Sequence, residues 1–255
     1  MKLKNLLLLL ICVCTYSAWA QTLATPDRIK TNKGDLVIQP VTHGTVVLQW
    51  DNKTIWVDPY GGEALFTGLA KPDLILITDI HGDHLDLKTL QALPTSGATI
   101  VAPQAVVDML PASMKAKAIV LANGAKTKQM NMEIMAVPMY NLPETADSRH
   151  PKGRGNGYVL NIGNKNVYLS GDTEDIPEMR ALKNVDVAFV CMNLPFTMDE
   201  TQAASAVLDF KPRIVYPYHY RGQTGLTDVN AFKTKVEAEK NQIDVRLRNW
   251  YPVGN

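Results

Sequence analysis

Two histidines and three carboxylates follow directly after a short, wholly apolar segment of the chain. The segment covers residues 74–77, and the polar side chains come from Asp79, His81, Asp83, His84 and Asp86. A continuous apolar run of this length is typical of a strand that is buried on both faces. Imidazole and carboxylate groups bind divalent metals. The pattern therefore predicts a buried strand that ends in part of a metal site.

Other candidate ligands lie at the ends of other predicted strands. Asp58, Asp172 and His219 each come directly after a strand-like apolar segment. His150 lies in the loop 141–157, which contains several prolines and glycines. Loops of this length inside compact domains are often functional. Because strand ends can meet at one edge of a sheet, we expect these side chains to complete the site.

The first 20 residues have the layout of a secretory signal peptide. Lys2 and Lys4 precede an apolar stretch over 6–14, and residues 18–20 form a small-x-small cleavage signal. The apolar stretch is too short to span a membrane. The mature chain is therefore expected to start at Gln21, as a periplasmic or secreted protein without a membrane anchor.

The composition argues against several other classes of protein. Lys and Arg number 26 against 25 Asp and Glu, with no basic run, so a nucleic-acid or anionic-membrane partner is not indicated. Two of the three cysteines fall in the predicted signal peptide. The third, Cys191, has no partner for an internal disulfide and is expected to be a buried thiol. Residues 21–255 are long enough for a single domain with a substantial core.

Strand and helix signals alternate along the chain. Strands are predicted at 36–41, 45–50, 54–57, 74–78, 99–102, 158–162, 166–169, 186–191, 213–218 and 244–247, with two more within 130–137. Helices are predicted at 87–93, 104–110, 199–210 and 228–240. Hairpins in both halves, mixed with helices, indicate an α/β protein of two mixed sheets with helices outside.

The candidate ligands fall within motifs of a known superfamily. In chain order these motifs are Asp58 with Pro59, residues 78–84, residues 171–173 and residues 217–220. Together they resemble the metallo-β-lactamase-fold metal-dependent hydrolases over nearly all of the mature chain. The resemblance implies a four-layer αββα sandwich of two mixed β-sheets. Residues 138–141, 150–153, 157–159 and 196–198 are similar to the branch that includes ascorbate-phosphate-lactonase-like proteins.

Two positions depart from the superfamily pattern. Asp79 stands where the motif at residues 78–84 has its first histidine in the superfamily. A carboxylate at this position would make the metal site harder and more anionic. The superfamily also has a motif between those at residues 78–84 and 171–173, its third, and the histidine of this third motif, expected near Tyr140 and Asn141, is absent. His150 is the one spare histidine downstream that could replace it.

The resemblance implies two divalent metal ions, with zinc expected first and manganese or iron as alternatives. One ion would be bound by Asp79, His81 and His150. The other would be bound by Asp83, His84 and His219, with Asp172 bridging the two. Such ions lower the pKa of a bound water and so supply a nucleophile.

Further residues are candidates for supporting roles. Asp58 is expected to accept the spare N–H of a ligand histidine, and Asp83 to help position the attacking water. His43 is expected to face the same cleft, and Arg221 with Tyr220 to hold an anionic group of the substrate. Asp86 either contacts the site or caps the following helix.

Two functions from different classes remain open at this point. The first is an exported hydrolase that uses metal-activated water on an ester, lactone or phosphoester bond of a small molecule. A lactone is the first expectation, a phosphodiester follows closely, and a β-lactam is less favoured. The second is a metal- or ligand-binding protein of the same fold with little catalysis, which Asp79 and the absent third-motif histidine favour. A structure or a metal assay distinguishes them: two bridged metals would favour the enzyme, whereas one metal or none, with His150 pointing to solvent, would favour the binding protein.

Overall fold

The first of two β-sheets is built from strands that lie in the order of the sequence. The computed structural model describes residues 23–145, 147–239 and 242–251, so the predicted signal peptide and residue 240 of the last predicted helix lie outside it. Strands β1 to β4 pair antiparallel, and β4 to β7 pair parallel. The strands are β1 (Asp27–Thr31), β2 (Gly34–Thr42), β3 (Thr45–Trp50), β4 (Lys53–Val57), β5 (Leu74–Leu76), β6 (Thr99–Ala102) and β7 (Ala118–Val120).

The second sheet has a similar layout. Its strands are β8 (Lys126–Gln129), β9 (Met132–Met139), β10 (Gly155–Ile162), β11 (Lys165–Leu169), β12 (Val187–Cys191), β13 (Ile214–Tyr218) and β16 (Asp244–Val245). Between β13 and β16 the chain forms a separate two-stranded hairpin of β14 (Arg221–Gly222) and β15 (Gly225–Leu226). The order across the sheet is β16-β13-β12-β11-β10-β9-β8. Strands β8 to β11 are antiparallel, and β11, β12, β13 and β16 are parallel.

The helices are short and begin at residues suited to that position. They are α1 (Leu87–Ala92), α2 (Gln104–Met109), α3 (Ala112–Lys115), α4 (Pro177–Arg180), α5 (Glu200–Phe210) and α6 (Val229–Ala238), with a 3-10 turn at Glu63–Phe66. Asp199 caps α5 by accepting from the backbone N–H groups of Thr201 and Gln202. Asp228 caps α6 in the same way. These side chains satisfy N–H groups that have no partner within the helix.

Apolar side chains on the two faces of the first sheet enter two different cores. Leu74 and Leu76 join the cluster between the sheets, whereas Ile75 joins the cluster beneath α1 and α2. Because successive side chains of a strand point to opposite faces, this run must be apolar throughout. Helices α5 and α6, which pack on the second sheet, contribute to the same cluster as Leu74 and Leu76, for example through Val207 and Phe232. The predicted αββα sandwich is confirmed.

Most predicted elements are present, and the differences are local. The two strands expected within 130–137 are instead β8 and β9, joined by a turn at Met130 and Asn131, both of which have positive φ. The sequence signals missed β1, β7, β14, β15, α3 and α4, each of which has five residues or fewer. Cys191 is buried and free, as predicted. None of the helices in the described ranges is both long and apolar enough to cross a membrane.

Parallel pairing brings the candidate ligands to one edge of the sandwich. Asp58 follows β4, and residues 78–86 follow the neighbouring strand β5. In the second sheet, Asp172 follows β11 and His219 follows β13. The carboxyl ends of neighbouring parallel strands lie at the same edge, where sheets of this kind bind their ligands.

Candidate metal centre

All five histidines of the chain meet at this edge, together with three aspartates. Two clusters are defined here: subsite A consists of Asp79, His81 and His150, and subsite B consists of His84, Asp172 and His219. A third group, His43 with Asp83, shares His219 with subsite B. Within each group the ligand atoms lie within 4.8 Å of one another. The fold thus brings together every residue that the sequence predicted as a metal ligand.

Subsite B is a buried cluster of imidazole nitrogens and carboxylate oxygens. The Nε2 atoms of His84 and His219 are 3.2 Å apart. Asp172 Oδ2 lies 3.4 Å from His84 Nε2, and its Oδ1 lies 3.3 Å from His219 Nε2. Among the described residues, the ion pairs of Asp172 are formed with histidines alone. This donor set fits a divalent cation, which would neutralise the carboxylate and separate the two facing nitrogens.

Asp83 and His43 lie at the open side of subsite B. Asp83 Oδ2 is 3.3 Å from His219 Nε2 and 3.1 Å from His43 Nε2. The other ring nitrogen of His43 contacts the Tyr251 hydroxyl at 2.7 Å, a contact that the sequence did not indicate. The Asp83 side chain remains 31% exposed, unlike that of Asp172, so it can contact both the cluster and a molecule that approaches from solvent.

A hydrogen-bond network behind subsite B orients His84. Asp58 Oδ2 accepts from the Thr78 hydroxyl at 2.6 Å and lies 2.9 Å from His84 Nδ1. The other oxygen, Oδ1, accepts from the backbone N–H of Thr78 at 2.8 Å. A carboxylate can only accept, so His84 donates from Nδ1 to Asp58 and its Nε2 faces the cluster, where it can bind a metal ion. This is the role that the sequence assigned to Asp58.

The electrostatics of subsite B favour a cation. Burial opposes protonation of His84, but the charges of Asp172, Asp58 and Asp83 raise its pKa well above the ordinary value. Burial likewise opposes ionisation of Asp172, but His219 and His84 hold its pKa well below the ordinary value. Burial, helped by the charge of His219, lowers the pKa of His43 to about 4. The carboxylates of Asp172, Asp58 and Asp83 therefore surround His84 with negative charge, whereas His43 is neutral at pH 7.

In subsite A, His150 is held by the residue found where the third-motif histidine was expected. Asn141 Oδ1 accepts from the backbone N–H of His150 at 2.8 Å and lies 3.1 Å from its Nδ1. The Asn141 amide nitrogen donates to Glu174 and to the carbonyl of Phe196, which fixes the orientation of the amide. His150 Nε2 is buried and has no hydrogen-bond partner among the described residues, so its lone pair is available to a ligand.

Asp79 has a partner that the sequence did not indicate. Arg154 donates from Nε to Asp79 Oδ1 at 3.2 Å and from Nη2 to Asp79 Oδ2 at 3.1 Å. The same Nη2 lies 3.5 Å from His81 Nε2, while His81 Nδ1 lies 2.6 Å from Asp79 Oδ2. Burial opposes ionisation of Asp79, but His81, His84 and Arg154 lower its pKa below the ordinary value. Because Arg154 balances the carboxylate, Asp79 does not make the subsite more anionic than a neutral histidine would.

The backbone at the strand ends has an unusual conformation. Asp58, His43 and His219 have φ values of 44°, 52° and 46°, in the left-handed region that costs most residues about 1–2 kcal/mol. Turning the chain this sharply places each side chain over the end of its strand. Glycine at position 44 allows close approach, since a Cβ there would lie 3.2 Å from His219 Cδ2.

A cavity of about 330 Å³ opens beside His43. Its lining includes Tyr60, Leu65, Tyr251 and Arg221, and the Arg221 guanidinium lies 4.5 Å from the centre of the Tyr251 ring. The Tyr220 hydroxyl instead donates to a backbone carbonyl, that of Arg248. Of the two residues predicted to hold an anionic group, Arg221 is therefore placed at the cavity.

Asp86 is accounted for by the fold. Its carboxylate caps α1 by accepting from the backbone N–H of Thr89 at 3.0 Å and also accepts from the Thr89 hydroxyl. Of the two roles left open by the sequence, the structure supports the helix cap.

Comparisons with known proteins agree with the fold and with a metal-dependent hydrolase. The family model of the beta-lactamase superfamily domain matches residues 37–219. A UPF0173 metal-dependent hydrolase of Pyrococcus furiosus is 31% identical over 205 residues, which cover 75% of this chain and 88% of the relative. One from Desulforamulus reducens is 31% identical over 218 residues, covering 80% and 93%.

Solved structures give the same result. A protein of Parabacteroides distasonis, assigned to the metal-dependent hydrolases, is 41% identical with a TM-score of 0.78, covering 88% of this chain and 98% of its own. A metallo hydrolase of Ignicoccus hospitalis is 24% identical with a TM-score of 0.69, covering 84% and 95%, and shows the fold alone.

The fold and the clustered ligands define a metallo-β-lactamase-fold protein, and the chain belongs to the beta-lactamase superfamily. Its relatives are the UPF0173 metal-dependent hydrolases, and it is a metal-dependent hydrolase of this fold. The superfamily predicted from the motifs is confirmed.

Proposed function

We propose that this protein hydrolyses an ester, lactone or phosphoester bond of a small anionic molecule, with a divalent ion in subsite B. The observation that carries the proposal is the convergence of His84 Nε2, His219 Nε2 and both oxygens of Asp172 in a buried cluster. When bound there, a divalent ion supplies Lewis-acid polarisation of the scissile group and lowers the pKa of a water.

The residues around subsite B have distinct roles in this reaction. Asp83 accepts a hydrogen bond from the attacking water and orients it, because its carboxylate reaches both the cluster and solvent. His43 holds Asp83 from the other side, and Tyr251 fixes the His43 ring. Asp58 and Thr78 keep His84 in the tautomer that presents Nε2.

The cavity beside His43 supports a small substrate that is partly apolar and carries negative charge. Leu65, Tyr60 and Tyr251 offer apolar and aromatic surface, and Arg221 offers a guanidinium for a carboxylate or phosphoryl group. A lactone is our first candidate and a phosphodiester the second. Histidine and carboxylate donors suit zinc first, with manganese or iron as alternatives.

We further propose that the protein acts outside the cytoplasm. The layout of the first 20 residues, with Lys2 and Lys4 before the apolar stretch and a small-x-small cleavage signal, supports export. Its substrate would then be a molecule of the periplasm or of the surroundings. Fractionation of cells and N-terminal sequencing of the mature protein test this part of the proposal.

The reaction is tested by activity after metal removal and reconstitution. The protein is stripped with a chelator, reloaded with zinc, manganese or iron, and assayed against lactones, aryl esters, phosphodiesters and β-lactams. Asp172→Asn is expected to abolish both metal binding and turnover, whereas Asp108→Asn, at an exposed helix position, is expected to leave both unchanged. Failure of every reloaded form on all four substrate classes would overturn the proposal.

A further inference from the structure

We propose that Arg154 is a built-in cation of subsite A, so that the centre binds one metal ion tightly, in subsite B. The guanidinium competes with a second ion for Asp79. This inference rests on the metal dependence in the proposed function but not on the substrate. It also gives Arg154 and Asp79 a joint role, as the pair that replaces a neutral histidine.

The contact between the two side chains has the geometry of a strong pair. Arg154 meets both oxygens of Asp79 with two nitrogens, at 3.2 Å and 3.1 Å. A bidentate pair of this kind is stronger and more directional than a single charged hydrogen bond. Nη2 also donates to the carbonyl of Arg149 at 2.6 Å, so the guanidinium is anchored on a second side.

The position of the guanidinium matters as much as its pairing. Nη2 lies within 3.5 Å of His81 Nε2, so positive charge is already present among the donors of subsite A. The side chain of Asp79 is fully buried, and a buried carboxylate needs a counter-charge. Arg154 supplies it without a metal. A divalent ion beside it would face like-charge repulsion that solvent screens only weakly.

Subsite B lacks such a partner. The ion pairs formed by Asp172 and Asp83 with other described residues involve His43, His84, His150 and His219, and neither Lys nor Arg. The carboxylate of Asp172 and that of the adjacent Asp83 therefore depend on histidine protonation or on a bound cation for charge balance. The two subsites offer the same kinds of donor, and the difference lies in the arginine.

The test measures metal binding directly and requires no substrate. Metal is removed from the wild-type protein with a chelator, and the protein is then titrated with Mn²⁺. Elemental analysis measures how many ions bind, and electron paramagnetic resonance shows whether they are isolated or magnetically coupled. We expect one tight equivalent with the signal of an isolated ion. Arg154→Met keeps much of the side-chain volume but removes the charge. This variant is expected to bind a second Mn²⁺ ion at least about tenfold more tightly than the wild type and to give the signal of a coupled pair.

Matched variants separate charge from folding. Arg154→Lys keeps the charge and is expected to bind one tight equivalent, like the wild type. Asp79→His is expected to bind one as well, because Arg154 remains, and the double variant Asp79→His with Arg154→Met is expected to bind two. Thermal melting of each stripped protein verifies that it is folded.

Two results would overturn the inference. One is a wild-type protein that binds two tight equivalents and gives the coupled signal, a result that needs no variant at all. The other is an Arg154→Met protein that is folded but binds less metal, since Arg154 would then only position Asp79 as a ligand. Absence of turnover alongside one tight equivalent would count against the proposed substrates and leave the inference intact.

Discussion

Subsites A and B lie at the same edge of the sandwich and offer similar donors, yet their surroundings differ. In subsite A a guanidinium lies against Asp79, whereas the ion pairs of Asp172 in subsite B are formed with histidines. A ligand motif alone therefore does not define a metal centre. The neighbours of each donor decide how strongly it attracts a cation.

The groups that orient the histidines differ in the same direction. His84 Nδ1 faces the carboxylate of Asp58, while His150 Nδ1 faces the neutral amide of Asn141. A carboxylate partner makes an imidazole more basic and a better ligand than an amide partner does. This second difference is independent of Arg154, and it also favours tighter metal binding at subsite B than at subsite A.

The largest expected effect separates the two subsites directly. His219→Ala removes a donor from subsite B and should weaken the tight ion by at least about 100-fold and abolish turnover. His81→Ala removes a donor from subsite A and should leave the tight ion within about threefold of the wild-type affinity. Titration of the stripped proteins with Mn²⁺ measures both. Equal losses in the two variants would break the comparison.

The next effect concerns the orienting groups. Asp58→Asn replaces the carboxylate behind His84 by an amide and should weaken the tight ion by about 10- to 100-fold. Asn141→Ala, behind His150, should leave that ion essentially unchanged. Metal titration is again the measurement, with circular dichroism as the control for folding. A weaker tight ion in Asn141→Ala would show that the His150 side also contributes to its binding.

The candidate ligands could be located from the sequence because their signal is local. Residues 74–84 combine a fully apolar strand with polar residues at its end, and Asp58, Asp172 and His219 repeat the pattern. Fold class followed from the same segments, since hairpins and buried strands both leave clear patterns. The resemblance to the superfamily also implied that Asp58 orients a ligand histidine, and Asp58 Oδ2 lies 2.9 Å from His84 Nδ1.

Arg154 could not be found in this way. It lies in a polar, Gly-containing loop, where an arginine is ordinarily solvated, and its partner Asp79 is 75 positions away. Asn141 was noted as the place of a missing histidine. Its hydrogen bond with His150 forms because the loop folds back on itself, which the sequence does not indicate. Strand β1 was missed because Ile29 alone of its residues is buried.

A smaller effect is expected at the glycine that lets the histidine rings approach. A Cβ at Gly44 would lie 3.2 Å from His219 Cδ2 and 3.7 Å from His84 Cε1, so Gly44→Ala must shift the His219 ring by a few tenths of an ångström. We expect a loss of about threefold to tenfold in affinity for the tight ion. Gly82→Ala is the matched control, because no atom lies within 4 Å of its added Cβ. Equal affinities of the two variants would show that subsite B tolerates this displacement.

The smallest effect on metal binding is expected from a carboxylate in the loop after β5 that belongs to neither subsite. Asp86→Ala removes the cap of α1 and should lower the free energy of unfolding by about 1 kcal/mol. Urea denaturation measures this, and Mn²⁺ titration should give the wild-type stoichiometry and affinity. Because Asp86 lies only two positions beyond His84, unchanged metal binding would show that the cluster depends on which side chains converge, not on the acidity of the loop. A loss of the tight ion would instead extend subsite B to the helix cap.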